Sequence, residues 1–382
     1  MRTILTTFII VFMIHPMMAQ KSVLYEITAA GDGLYHLYYD SSELKSTVVE
    51  FENFIALLEV PIKDEGGGAT NLKDHADGGR RVLNTLRKKF PGKPLKYVLH
   101  THWHPHSISS VKPFLASGAT FISTQSNFER LKGFVSAEDI RKYREKIRFV
   151  EADSLVIADL KNRIVAYRFL KKDFPSTPTE EYLYFYLPKY KALHSGCMFI
   201  RFPQLVEGKE ILTERVSDVN SFLTAKNIQP SCFIRFNGDK GESNGMVSYA
   251  KFQGVLERGI SLDEINLKYF SVSEQTLQQR RDSVLEVIVR NNVPAFICNN
   301  AVYACLRKKE LSKALSLAQL QVMIAPVDPN SWDTLGEVYY FLGETEMALY
   351  YEKMTRKIDA GFTAGGEAVW KADLESYQKR WN

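Results

Sequence analysis

The chain has 382 residues, room for one large domain and a smaller one, and its 45% apolar and 24% charged residues are those of a folded globular protein, which excludes disorder. Its net charge of +5 is spread, with Lys and Arg scattered among Asp and Glu. No basic block marks a nucleic-acid surface, so no nucleic-acid partner is expected.

The start of the chain departs from this average. Arg2 precedes an apolar run, residues 4–14, and Met17-Met18-Ala19-Gln20 follows, the layout of a secretory signal peptide with a small residue at the cut. The run is short for a bilayer span. With residues 1–19 removed, the expected mature protein begins near Gln20, is periplasmic or secreted, and has no membrane contact; a retained anchor is the alternative. No cysteine follows the cut to carry a lipid.

From residue 23 the pattern is strand (23–28), turn at Gly31-Asp32-Gly33, strand (34–39), and two further apolar runs, 46–51 and 54–60, which together predict an antiparallel sheet. Asp64-Glu65-Gly66-Gly67-Gly68 lacks the Gly-Lys-Ser/Thr of a phosphate loop and reads as a surface loop. The helix that follows has Val82, Leu83 and Leu86 apolar, Arg80, Arg81, Arg87, Lys88 and Lys89 polar, and stops at Pro91-Gly92-Lys93-Pro94.

The least ordinary stretch comes next. Four of the eight histidines stand at alternate positions in His100-Thr101-His102-Trp103-His104-Pro105-His106, between an apolar strand (95–99) and a predicted helix (108–116) ended by Gly118. Side chains two apart in extended chain point the same way, so His102 and His104 can present imidazoles to one ion. Neutral imidazole is a good ligand for zinc. The bland alternative is a solvated loop. A short strand (118–123), a charged helical stretch (127–143) and strands at 147–150, 154–157, 164–169, 183–187 and 192–193 complete an α+β pattern, a layered sandwich with helices outside.

Several segments in order carry a family resemblance. Pro91-Gly92-Lys93-Pro94-Leu95-Lys96-Tyr97-Val98 leads into Thr101-His102-Trp103-His104, a helix, and Gly118-Ala119-Thr120-Phe121-Ile122. Later Ser176-Thr177-Pro178 precedes a strand, and Leu187-Pro188 is followed by Leu193-His194-Ser195-Gly196-Cys197. Over residues 23–256 the chain thereby resembles the metallo-β-lactamase superfamily. The resemblance implies an αββα sandwich with two metal ions at its end, held by a His-x-His-x-Asp-His motif, a later histidine, an Asp or Cys after a glycine, and a last histidine. The ions lower the pKa of a shared water and polarise the scissile bond.

Carried over position by position, His102 and His104 match the first two ligands and Cys197 matches the cysteine of the lactamase-like branch. Where the motif has Asp-His this chain has His106-Ser107; the later histidine is Ser176; and Phe236-Asn237-Gly238-Asp239-Lys240-Gly241 replaces the last histidine's turn, with Asp239 as a possible additional oxygen ligand. The implied centre is degenerate, with one zinc at most, assembled from His102, His104, His106 and Cys197. Four protein ligands would make such a site structural; three and a water would make it hydrolytic. His100 and His194 read as packing residues, His36 and His75 carry no pattern, and Trp103 and Pro105 stiffen the loop.

Cysteine pairing stays open at one point. Cys298 and Cys305 share a predicted helix, where seven residues separate them by roughly 10 Å, too far to bridge. Cys197 and Cys232 both follow strands and could pair, though Cys197 is read as a free thiol.

Beyond residue 256 the pattern turns helical. Ser271-Val272-Ser273-Glu274 reads as a capping box opening a helix to Arg290. Ala314-Leu315 recurs as Ala348-Leu349, and Trp332-Asp333-Thr334-Leu335-Gly336-Glu337-Val338-Tyr339 with Gly343 and Ala348 resembles the tetratricopeptide repeat. The expected organisation is a metallo-β-lactamase-like domain (20–256), a helical connector (257–293), and a small all-α domain of tetratricopeptide-like repeats with a capping helix (294–382). Such repeats expose a groove for a protein or peptide partner, here with Trp332 and Tyr339 on the repeat face; packing on the large domain or a dimer are alternatives.

Two functions remain. One is binding or scaffolding by an exported metallo-β-lactamase-fold protein, weakly active or inactive as a hydrolase. The other is a single-zinc hydrolase cleaving an ester, amide or lactam.

Overall fold

A computed structural model of the chain describes residues 25–39, 45–60, 72–103, 111–131, 135–196, 198, 205–235, 246–359 and 362. Runs of β-branched and aromatic residues bounded by glycine and proline become the strands of two facing sheets. The first sheet has seven strands in chain order: β1 (Tyr25–Gly31), β2 (Leu34–Tyr39), β3 (Lys45–Glu50), β4 (Ile55–Leu58), β5 (Leu95–Leu99), β6 (Thr120–Ser123) and β7 (Ile147–Phe149). The predicted antiparallel meander is β1 to β4; β4 to β7 run parallel. Of the later strands β8 (Ser154–Ala158), β9 (Arg163–Leu170), β10 (Glu181–Leu187), β11 (Ala192–Gly196), β12 (Ile211–Leu212), β13 (Cys232–Arg235), β14 (Met246–Ser248) and β15 (Ile260–Ser261), six form the second sheet, in the order β14-β13-β11-β10-β9-β8.

Alternation along each strand builds the layers. On β10, Leu183, Phe185 and Leu187 point between the sheets, where they meet Ala56, Leu58 and Leu99 of the first sheet. Tyr182 and Tyr184 point outward, against Phe222 and Phe252. On the first sheet Leu37, Leu57 and Val98 face outward onto Val82, Leu83 and Leu86. Each buried side chain of this size contributes about 1.5–3 kcal/mol, so a one-residue slip of any central strand is strongly disfavoured.

The outer layers are helical. α1 (Leu72–Lys89), α2 (Val111–Ala116), α3 (Gln125–Leu131) and α4 (Ala137–Lys142) belong to the first sheet's half, and α5 (Glu214–Ala225) and α6 (Tyr249–Arg258) cover the second. The charged stretch expected as mainly helical is thus two helices, because Ser136 caps α4 anew by accepting from the Asp139 N–H. This is the α+β, αββα sandwich expected from the sequence.

A short α7 (Leu262–Ile265) leads into the helical half: α8 (Glu274–Gln279), α9 (Arg281–Arg290), α10 (Ala295–Arg307), α11 (Leu311–Ile324), α12 (Pro329–Phe341) and α13 (Thr345–Ile358). The expected capping box is displaced by two residues. The Ser271 hydroxyl donates back to the Leu267 carbonyl and so closes the preceding π-turn, leaving Ser273 to accept from the Thr276 N–H and open α8. The expected single helix also breaks, at Arg280.

The core of the helical half extends into the sandwich's sequence. Val206 and Ile211 pack with Ile260, Ile265, Leu277 and Leu317, and β12 pairs with β15. Cys232, Cys298 and Cys305 are free. Among the described residues no helix is long and apolar enough to cross a membrane.

Gly336 sets the approach of α12 to α13. A Cβ there would stand 3.3 Å from the Ala348 carbonyl oxygen and 3.4 Å from the Tyr351 Cβ. Gly336→Ala trades this tight fit against better helix propensity, whereas Gly336→Val is expected to lose about 1–3 kcal/mol by overpacking. Urea unfolding followed by circular dichroism measures both; equal stability of wild type and Gly336→Val would contradict the close approach.

Candidate functional site

Where β4 and β5 end, the chain makes a carboxylate-supported corner. Glu59, one residue past β4, is in the left-handed region at φ 60°, which costs a non-glycine residue on the order of 1 kcal/mol. Its N–H donates to the Leu99 carbonyl at 2.9 Å and its Oε1 accepts from the Thr101 N–H at 2.6 Å. His100 is buried beside it, its Nδ1 3.9 Å from Glu59 Oε2 and its ring 5.1 Å from that of Phe121.

Thr101 then joins the second sheet. Its carbonyl accepts from the Leu183 N–H at 2.8 Å, and its hydroxyl lies 2.6 Å from His102 Nδ1. The His102 ring is fully buried and stacks on Tyr182 with centroids 5.1 Å apart. With Nδ1 engaged, a metal bond from His102 would have to come from Nε2. The Tyr182 hydroxyl donates to the Ser195 carbonyl at 3.0 Å and fills the space beside Gly196. Gly196 sits at φ 54°, and a Cβ on it would stand 2.2 Å from the Tyr182 oxygen and 2.9 Å from Thr101 Oγ1. Only glycine fits there. The ends of β5, β10 and β11 therefore meet at one point, bringing His102 to the residue that precedes Cys197.

Ser176 is drawn elsewhere. Its N–H and hydroxyl both donate to Asp218 Oδ2 on α5, at 2.9 and 2.5 Å. The group at the expected position of the later histidine ligand is thus committed to the outer helix. His104, His106, Cys197 and Asp239 lie outside the described residues. Among the described residues no three His, Cys, Asp or Glu side chains are grouped so as to hold a metal ion.

Two basic side chains are buried near the same end. Lys45, where β3 begins, is fully buried with its Nζ 5.9 Å from the Tyr38 ring centroid, and Arg235, where β13 ends, is 2% exposed. Burial, with Arg235 adding to it, lowers the Lys45 pKa from 10.5 to about 7. His36 and His194 are buried as well. Desolvation, then the charge of Lys45, holds His194 at about 3 and His36 well below its usual value, so both are neutral imidazoles at physiological pH. The two His194 ring nitrogens have no hydrogen-bond partner among the described residues, and its ring packs 5.8 Å from Phe185.

Trp103 is half-buried under the Arg130 guanidinium, 4.8 Å from its ring centroid. In the helical half Tyr339 stacks on Tyr351 at 5.3 Å and Trp332 on the same ring at 5.9 Å, while Trp332 Nε1 donates to the Pro326 carbonyl. Both are half-buried. The sequence reading passed over Glu59, Tyr182, Asp218, Lys45 and Arg235. For Glu59 a signal existed, a lone carboxylate closing an apolar strand; for the others the sequence gives no sign that distant strands bring them together.

No protein-family model matches the chain, and a search of curated proteins finds no match. Among solved structures it is similar to a metallo-β-lactamase from Pontibacter korlensis, at 12% identity and a TM-score of 0.43 over 61% of this chain and 98% of that one. It is also similar to the mono-zinc form of the metallo-β-lactamase FIM-1 from Pseudomonas aeruginosa, at 13% and 0.40 over 62% and 94%. The sec-alkylsulfatase Pisa1 from Pseudomonas sp. is similar at 10% and 0.42, over 89% of this chain and 66% of that one. The lactamase neighbours are metallo-β-lactamase-fold proteins; at these scores nothing of their chemistry transfers to this site.

The buried lysine gives a pH signature with a defined sign. Between pH 7 and 10.5 the unfolded chain keeps a proton on Lys45 that the folded chain gives up, so this group's contribution to stability rises with pH; below about pH 7 the full penalty is present. Relative to Lys45→Met, wild type is expected to gain stability by up to about 1.4 kcal/mol per pH unit above pH 7. Urea midpoints that run parallel for the two proteins from pH 6.5 to about 8.5 would contradict the assignment.

Proposed function

We propose that this chain is an exported binding or scaffolding protein built on a hydrolase-like sandwich whose metal centre is degenerate. The observation that carries this is the pair of hydrogen bonds from Ser176 to Asp218. A seryl group held by an outer-helix carboxylate replaces an imidazole that would face the ions, so the second metal loses a ligand that no described neighbour supplies. Lys45 and Arg235 are buried basic side chains near the same end, where a two-metal centre gathers carboxylate and imidazole. Partner recognition then falls to the helical half, through tetratricopeptide-like units with Trp332 and Tyr339, for a protein or peptide ligand. Export to the periplasm or medium rests on the leader at residues 1–19.

One observation favours a second reading, a single-zinc hydrolase of an ester, amide or lactam. Thr101 orients the His102 ring as an outer hydrogen-bond partner orients a metal ligand, and Gly196 brings the neighbour of Cys197 to the same corner. Bound by His102, His104, His106 and Cys197, or by three of them, zinc would supply Lewis-acid activation of water. The chain's own part would be to aim the His102 imidazole through Thr101 and to cover one face of it with Tyr182.

The two readings separate in one comparison. Wild type and His104→Ala are assayed on a chromogenic ester and a chromogenic lactam with zinc present. The binding reading predicts equal rates at the level of the blank. A wild-type rate lost in His104→Ala would establish the hydrolase and overturn the first reading.

A further inference from the structure

Three of the four edge strands of the large sheets are guarded and one is not. The sheets end in β1, β7, β14 and β8. An edge offers unpaired N–H and C=O groups to any other strand, and proteins guard it by shortness, charge or a bulge. β7 and β14 are three residues long, with Arg148 at the centre of β7. β1 carries Glu26 and loses register between Ala29 and Gly31. β8 has none of these devices: Ser154-Leu155-Val156-Ile157-Ala158 has no charge, glycine or proline and runs in unbroken register with β9.

The ladder to β9 is bonded at odd positions. The Arg168 N–H donates to the Asp153 carbonyl at 2.9 Å before β8, and the Asp159 N–H to the Asn162 carbonyl at 3.0 Å after it. Bonded and non-bonded residues alternate along an antiparallel pair. The N–H and C=O groups of Ser154, Val156 and Ala158 therefore point to the outer edge, where no strand lies among the described residues. Leu155 and Ile157 turn their side chains into the core between the sheets, which leaves Ser154, Val156 and Ala158 exposed on the outer face. Val156 is 44% exposed, and Leu160, in the turn that follows, 95%.

We propose that β8 pairs antiparallel with β8 of a second copy of this chain, about a two-fold axis through Val156, joining the two six-stranded sheets into one. Val156 then faces its own counterpart and Ser154 faces Ala158, and these bonded pairs supply about six main-chain hydrogen bonds. The flanking charges select a second copy over a foreign segment. Glu151 and Lys161 stand five residues before and five after Val156, so the two-fold brings each Glu151 opposite Lys161 of the partner subunit. Lys161 Nζ is 3.0 Å from Glu50 Oε2 in its own chain, and its side chain is still 30% exposed. Asp153 and Asp159 also come opposite one another, but each is compensated at home. Asp153 lies 3.2 Å from Lys226 Nζ, and the Asp159 carboxylate accepts from the Glu52, Lys161 and Asn162 N–H groups. Pairing of one short strand buries on the order of 1,000 Å² or less, so the dimer forms and dissociates with concentration. It uses neither the corner at His102 nor the helical half, and it holds whether or not the metal centre is degenerate.

Sedimentation velocity on the full mature chain, from about 1 to 100 µM, is expected to show a reversible monomer–dimer equilibrium. Val156→Lys, which sets two ammonium groups face to face at the axis, should weaken it at least about tenfold; Val156→Thr, which keeps a β-branched side chain, should leave it within about threefold. Amide hydrogen exchange on wild type reads the same edge without any variant. The Ser154, Val156 and Ala158 amides should gain protection between the two concentrations, while those of Leu155 and Ile157, bonded to β9, stay protected at both. A chain that remains monomeric at the higher concentration would overturn the proposal. So would a dimer untouched by a Val156→Lys variant whose fold is intact by circular dichroism, or a dimer whose new protection falls in the helical half and not on residues 154–158.

Discussion

The corner where Thr101, Tyr182 and Gly196 meet is the constraint on which the site end of this molecule depends. Two sheets are pinned there by the Leu183 N–H donating to the Thr101 carbonyl, and the Tyr182 hydroxyl occupies the volume that any side chain at position 196 would need. Glu59 holds the first sheet's side of the corner through the Thr101 N–H. The orientation of His102 follows from it, because Thr101 fixes one ring nitrogen and Tyr182 one ring face. The strain at Glu59 is a local cost that the surrounding hydrogen bonds offset.

The described interior of the same end is rich in buried basic side chains. Metal ions at the mouth of a sandwich need anionic and imidazole ligands facing them. Here the described interior contributes a buried lysine, a buried arginine and two histidines kept neutral by desolvation. The serine at the later ligand position faces an aspartate on an outer helix. On the proposed reading, the ligand pattern kept by the sequence runs from His102 to Cys197 and would hold a single ion.

Much of the fold was legible in the sequence because it rests on periodicity. The meander from β1 to β4, the basic face of α1 and the alternation on β10 all follow from which residues are apolar at every second or every third and fourth position. Boundaries were less legible where two serines compete. Ser271 and Ser273 offer the same capping chemistry, and only the π-turn that occupies Ser271 decides for Ser273. Of the site, His102 was legible from its spacing to His104. Tyr182, Lys45 and Asp218 were not, since each matters through a neighbour far away in the chain, and a strand pattern does not reveal which distant side chain will share its face.

The most direct test of a degenerate centre is the zinc content per chain of the purified mature protein after dialysis against trace zinc. The commitment of Ser176 to Asp218 predicts one ion at most. If one is found, it should disappear in both His104→Ala and Cys197→Ala. Two ions per chain would contradict the account, because Ser176 at the later ligand position is held by Asp218 and no described residue takes its place.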